Sequence, residues 1–218
     1  MIPKGALIVS TYHKLPQIDF MLSGDLSVVT GDGLKRIKAP YVGASPPGMK
    51  RLGFAHEETW WMDVRATNNT DIEQLEKMLY CDTFEEFEEF ENRIQRLDFE
   101  NVLMEHNIPF SVAQSQSINT EDYREVPMEK TIVCDSKLSG KGLFAIKPIR
   151  AEDVIMPARI QGMRTQAGRF TNHSFNPNAK MFLHDNGDID LVALKTIFKE
   201  EITVDYRQAL NLTRQLAL

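Results

Sequence analysis

Between residues 5 and 66, short apolar stretches are broken by Gly, Pro and Asp turns, a pattern that predicts β-structure. Gly31-Asp32-Gly33 stands between Leu26–Val29 and Leu34–Ile37, where glycine supplies the positive φ of a tight hairpin. Several strands at this spacing predict a sandwich or small barrel. From residue 70 the apolar period lengthens to that of a helix. Thr70 or Asp71 can cap a helix through DIEQLEKMLY, and Thr83 with Glu86 matches a capping box opening FEEFEEFENRIQRL. Phe84, Phe87, Phe90, Ile94 and Leu97 fall on one apolar face of that second helix. LDFENVLMEHNIP predicts a further short helix stopped near Pro109. The polar run SVAQSQSINTEDYREVPMEK reads as a linker whose start is open to helix. Strands return in TIVCDS, KGLFAI, DIDLVALKTI and EITVDY, with a glycine turn at Asp185–Asp188 and a terminal helix in RQALNLTRQLAL. This predicts a mainly β chain with a helical middle segment, divided as 1–69, 70–129 and 130–218.

Charge and composition narrow the function classes. Residues 1–130 hold 13 Lys+Arg against 22 Asp+Glu, whereas 131–218 hold 12 against 9. The first part is too acidic, and the second too weakly basic, to predict a nucleic-acid partner. No apolar run reaches the ~20 residues of a membrane helix, and the apolar stretch in MIPKGALIVSTYHK is too short to predict a secretory leader. Cys81 and Cys134 are too few for a disulfide framework or a metal cage, and predict idle thiols in a reducing, cytoplasmic setting. Residues 71–91 carry nine acids and one lysine, which makes either a solvated helix face or a docking surface for a basic partner.

The candidate chemistry lies near the C-terminus, in Ser139–Ala145, Arg169–Asn178 and Glu200–Tyr206. Gly140 and Gly142 let backbone approach a ligand with no Cβ in the way. Asn172 carries a donor and an acceptor, His173 a ring with two nitrogens, and Tyr206 a hydroxyl that can donate and accept. In this order S-G-K-G-L-F-A, R-F-T-N-H-S-F-N-P-N and E-E-I-T-V-D-Y resemble the SET-domain family of S-adenosylmethionine-dependent protein lysine methyltransferases, over about residues 130–208. The resemblance implies a minimal SET-like β-clip domain with a knot-like crossing. It also implies an S-adenosylmethionine site at Gly140, Lys141, Gly142, Arg169, Phe170, Asn172 and His173, and Tyr206 as the catalytic residue of the transfer channel. A dry channel beside a sulfonium would keep the attacking lysine neutral.

Several departures from the family pattern stand out. Only Met156 to Gly168 occupy the place of the family's long insert, Phe175 follows N-H-S, and Phe198–Glu201 lacks the usual glycine. No cysteine cluster follows Tyr206 in these residues, which predicts a channel not closed by a zinc-bound tail. The cleft is then open, or completed by residues 70–130 or by a neighbouring subunit. Met163, Phe170 and Phe175 lie in or next to the shortened region as a candidate apolar patch, which predicts a homo-oligomer or a tightly held subunit.

The first segment is similar, more loosely, to the cupin superfamily: Tyr12–Gln17 with Leu22-Ser23-Gly24, then Ala39-Pro40 and Pro46–Arg51. Of the metal-ligand places, His13 is kept, Gln17 fills a second and Arg51 a third. Arginine is no ordinary metal ligand, which predicts a metal-free barrel used for packing or self-association. The tandem arrangement resembles proteins encoded by tailed bacteriophages, implying a host-cytoplasm or virion setting. Two functions follow from these resemblances. One is a protein-lysine methyltransferase acting on a protein substrate; the other is a non-catalytic structural or adaptor protein that uses both folds as packing modules.

Overall fold

The structure is a computed structural model and describes residues 1–30 and 33–215. It divides into two compact units, Met1–Glu91 and Asn92–Leu218. The chain is mainly β, with five helices among the described residues.

The described residues of the first unit hold nine strands: β1 (Leu7–Val9), β2 (Tyr12–His13), β3 (Gln17–Ser23), β4 (Asp25–Thr30), β5 (Gly33–Lys38), β6 (Tyr41–Ser45), β7 (Leu52–Ala55), β8 (Trp60–Val64) and β9 (Tyr80–Cys81). They pair as a β1-β7-β4-β5 sheet, a β6-β3-β8 sheet and a β2-β9 ladder. The expected hairpin is there: β4 and β5 pair antiparallel, with Thr30 opposite Gly33. Its turn residues Gly31 and Asp32 lie outside the described residues. Met21, Leu26, Val28 and Ala55 form the apolar core, with Ile8, Ile37, Tyr41 and Trp61 against it.

β3 also buries polar residues, and their bonds explain how. Asp19 is fully buried and accepts from Gln17 Nε2 (2.5 Å), from Arg51 (2.9 Å) and from the Ser45 hydroxyl. Arg65 donates to Gln17 and to the Tyr80 hydroxyl (2.9 Å). Gln17 and Arg51, two of the places that the cupin resemblance gave to metal ligands, are thus members of an ion-pair network. His13 is buried edge-on to Tyr80, its ring centroid 5.5 Å away. Among the described residues no group of three His, Cys, Asp or Glu is placed to hold a metal ion.

Of the two candidate caps, Asp71 caps α1 (Ile72–Leu79), accepting from the Gln74 N–H at 3.1 Å. Thr83 opens α2 by accepting from the Glu86 N–H (3.2 Å), while the Glu86 carboxylate reaches back to the N–H of Asp82 (3.1 Å). The two helices expected between residues 83 and 109 are one helix of 22 residues, α2 (Phe84–Glu105). Nothing around Leu97 and Asp98 breaks it. It stops where Asn107 takes a left-handed φ of 55°, with the Ile108 N–H on the Leu103 carbonyl (2.9 Å), a Schellman ending two residues before Pro109. The predicted stripe is unevenly covered: Phe87 is buried, whereas Phe84 and Leu97 are exposed. The start of the linker is helical, as α3 (Phe110–Ile118).

The second unit adds β10 (Thr131–Asp135), β11 (Lys141–Ala145), β12 (Val154–Ile160), β13 (Met163–Arg164), α4 (Gln166–Phe170), β14 (Asn172–His173), β15 (Ala179–Leu183), β16 (Ile189–Ala193), β17 (Glu201–Val204) and α5 (Tyr206–Gln215). Two four-stranded sheets, β10-β11-β17-β14 and β13-β12-β16-β15, enclose Leu143, Ile149, Leu191, Ile197, Ile202 and Val204, all fully buried. The expected turn at Asp185–Asp188 joins β15 to β16, with Gly187 at a φ of 85°. β14 runs parallel to β17, Asn172 opposite Thr203 and His173 opposite Val204. A parallel pair requires a crossover. Here the β15–β16 hairpin supplies it and threads 172–173 beside 203–204. No helix of the described residues is long and apolar enough to cross a membrane.

Candidate functional site

Three side chains hold the crossing together. The Asn172 amide donates to the carbonyls of Ser139 (3.2 Å) and Lys141 (3.1 Å) and to the Glu201 carboxylate (2.7 Å). It thereby ties the glycine turn to the threaded strand and to β17. Glu201 also accepts from the Ser136 hydroxyl at 2.8 and 2.9 Å. Asn178 is buried and works as a strand residue would: its amide donates to the Glu201 carbonyl and its oxygen accepts the Thr203 N–H, both at 2.8 Å.

The glycines serve two different needs. Gly140 has a φ of 51°, and a Cβ there would meet nothing within 4 Å, so its outer face is open. A Cβ on Gly142 would fall on the Glu201 carboxylate. The Lys141 side chain is exposed and turns to Asp135 (3.2 Å), so its link to the site is its carbonyl.

His173 is buried between two partners: Nε2 lies 2.9 Å from Asp98 Oδ2, and Nδ1 accepts the Tyr206 N–H at 3.2 Å. The Tyr206 hydroxyl donates to the Thr171 carbonyl (3.1 Å). Burial, with the nearby Glu201 carboxylate, pushes its pKa up to about 12. At neutral pH Tyr206 is therefore a phenol, a donor and orienting group and not a base.

Gly140, Lys141, Gly142 and Asn172 are thus brought together, as are His173 and Tyr206, and the consecutive pair Asn172–His173 joins the two sets. Arg169 and Phe170 face elsewhere. The Arg169 guanidinium donates to the carbonyls of Asn119 (2.7 Å) and Ile118 (3.3 Å) at the C-terminus of α3, and lies over the rings of Tyr123 and Phe170. Phe170 meets Tyr123 edge-on at 6.2 Å. Of the apolar trio, Phe175 is exposed, while Met163 and Phe170 are half-buried.

Sequence reasoning missed the contribution of α2. Gln95 bonds Ser174 (3.0 Å) and the Phe175 N–H (3.3 Å), and Phe99 packs against His173 and Tyr206. Arg207 forks onto Asp98 (2.9 and 3.0 Å) and Glu105 (2.7 and 3.1 Å). Arg207 first, then His173, holds the Asp98 carboxyl below the usual carboxylate range. The available signal was spacing: 95, 98, 99, 102 and 105 share one helix face. Residues 92–105 pack over the threaded segment, one of the arrangements open to 70–130 from the sequence, completion by a neighbouring subunit being another.

The family model of the SET domain matches residues 158–207. A SET domain is found there. The match takes in α4, the threaded strand, the β15–β16 hairpin, β17 and Tyr206. It leaves out the Gly140–Gly142 turn, which Asn172 binds directly. No curated protein matches the chain. SET domains generally use S-adenosylmethionine.

Proposed function

We propose that the SET domain of this chain is an S-adenosylmethionine-dependent transfer centre that methylates a lysine of a protein substrate. The observation behind this reading is the desolvated phenol of Tyr206, held on the carbonyl next to Asn172 in a crossing that also carries the glycine turn. The residues fit the cofactor. Gly140 keeps open a backbone face that a Cβ would otherwise cover, and the 172–173 main chain runs beside the same turn. The Asn172 amide nitrogen is committed to protein acceptors, so Asn172 would hold the cofactor through its main chain and side-chain oxygen.

Bound S-adenosylmethionine supplies a methyl group activated on a sulfonium. The chain's own part is orientation. With its proton on the Thr171 carbonyl, the Tyr206 oxygen keeps lone pairs that accept an amine N–H and aim the nitrogen. Dry surroundings favour the neutral amine over the ammonium. Calorimetry with S-adenosylhomocysteine tests the reading. We expect stoichiometric binding weakened by Asn172→Ala, and methyl transfer to lysine peptides lost in Tyr206→Phe while binding persists. No heat and no thermal shift at millimolar ligand would overturn it.

A second reading, a non-catalytic packing module in a homo-oligomer or larger particle with a cupin-like first unit, is favoured by one observation. The polar groups of Asn172, His173 and Tyr206 already have partners inside the protein. Failure to bind the cofactor, together with a solution mass well above 24.9 kDa, would select it.

A further inference from the structure

Tyr206 and Arg207 are consecutive, and the bonds that leave them meet on one carboxylate. The Tyr206 N–H donates to His173 Nδ1 (3.2 Å), and His173 Nε2 reaches Asp98 Oδ2 (2.9 Å). Arg207 closes the ring with bonds of 2.9 and 3.0 Å to the same Asp98, and Glu105 receives its remaining Nε–H at 2.7 Å. A ring nitrogen that accepts a backbone N–H carries no proton. The ring of bonds therefore admits one neutral tautomer of His173, with the proton on Nε2 and pointing at Asp98.

The consequence falls on the first turn of α5. The first N–H groups of a helix lack partners within it. His173 Nδ1 takes the Tyr206 N–H, and the Asp205 carboxylate takes that of Arg207 (2.9 Å). A His173 protonated on Nδ1 would set N–H against N–H and release the Tyr206 backbone. Phe99, next to Asp98, packs against both rings, its centroid 6.0 Å from that of Tyr206 and 6.3 Å from that of His173.

We propose that Asp98 and Arg207 are positioning residues. They hold His173 in the Nε2-protonated tautomer and, through it, fix the start of α5 and the direction of the Tyr206 hydroxyl. The proposal rests on the reading of Tyr206 as the residue at the transfer site. Asp98 lies on α2, outside the residues matched as a SET domain, so this chain brings its own support to the site.

Long-range nitrogen–proton spectra of the labelled full chain read the tautomer directly, with His173 assigned by its loss in His173→Asn. We expect the Nε2-protonated pattern in the parent and in Asp98→Asn, whose side-chain oxygen still accepts. Asp98→Ala should show a pattern averaged between tautomers. In the transfer assay, Asp98→Ala should lose about 100-fold in kcat, as misplacement of a reacting group does, and Asp98→Asn should recover most of it. A parent spectrum of the Nδ1-protonated form overturns the proposal, as does an Asp98→Ala spectrum identical to the parent. If Asp98→Ala does not fold, the parent and Asp98→Asn spectra still decide. A locked tautomer in a chain that binds no S-adenosylhomocysteine removes the methyltransferase reading and leaves the clamp standing.

Discussion

Replacing Gly142 with alanine tests how the crossing is held. Gly142 does not have a positive φ, so the substitution adds no backbone strain, and its cost comes from what the methyl meets. That methyl falls on Glu201 Oε1, 2.7 Å from Cδ and 3.1 Å from Phe144 Cε2. A carboxylate at the end of a flexible side chain can swing aside, so the collision alone is cheap. What swinging aside loses is the bond from Asn172 at 2.7 Å and that from the one Ser136 O–H, shared between the two oxygens at 2.8 and 2.9 Å. Hydrogen bonds to a charged group are worth about 1.5–3 kcal/mol each. Glu201 is half-buried and water replaces part of that, which leaves about 2 kcal/mol. Urea denaturation followed by far-ultraviolet circular dichroism should show this loss, with faster hydrogen exchange over residues 172–174 and 201–204. A double-mutant cycle isolates the cause: in a Glu201→Ala background only the edge of the Phe144 ring has to give, by a few tenths of an ångström, and Gly142→Ala should cost less than about 0.5 kcal/mol. Equal costs in both backgrounds would refute the reasoning. Gly140→Ala is the control, since its space is empty and its φ of 51° alone should cost about 1–2 kcal/mol, whatever stands at 201.

Two pH responses follow from Asp98 and His13. The Asp98 carboxyl titrates below the usual carboxylate range because of Arg207 and then His173, so its contribution is complete above about pH 4 and is lost as pH falls through the lowered value. Arg207→Gln should therefore flatten the acid limb of stability below about pH 4; an unchanged limb in an acid titration would count against the ion pair. In the first unit, burial and then Arg65 lower the His13 pKa, so the neutral imidazole stabilises the fold above about pH 6.5, and that contribution declines as pH drops toward the lowered value. His13→Gln should remove this decline, read by the fluorescence of Trp60 and Trp61 on denaturation, and an undiminished slope between about pH 7 and 5 would contradict it.

Local signals were legible where a short segment contains its own cause. Asp71 capping α1, the β4–β5 pairing and the Asp185–Asp188 turn each depend on residues a few positions apart, and the order of the three C-terminal segments pointed to the SET domain. What escaped was long-range. Leu97 and Asp98 read as a helix boundary because the apolar spacing shifts there, yet no glycine or proline interrupts the chain and packing carries the helix through to Glu105. Asp98 and Arg207 are 109 positions apart, and nothing in either neighbourhood announces the other. Arg169 shows the same gap from the other side. It read as a cofactor residue from its place before N-H-S, while the carbonyls it binds belong to a helix end inside a segment that read as linker.

The dependence of the threaded segment on α2 has a consequence for truncation. Residues 130–218 contain every motif of the SET resemblance, and on sequence grounds they would be cut out as the domain. Without α2, however, His173 loses its Asp98 partner, Arg207 loses both carboxylates, and the Phe99 contacts with His173 and Tyr206 go with them. Val102, fully buried, leaves bare whatever it covers. A small domain buries too little surface to tolerate such losses, and breaking a paired charge network costs more than each bond contributes by itself. A fragment of residues 83–218 keeps α2 with its Thr83 start, and we expect it to unfold cooperatively, with hydrogen-exchange protection over 172–178 and 201–206 like that of the full chain. The 130–218 fragment should lack that protection. Equal protection in the two fragments would show that the crossing stands without α2, and that the helix only covers a segment already complete.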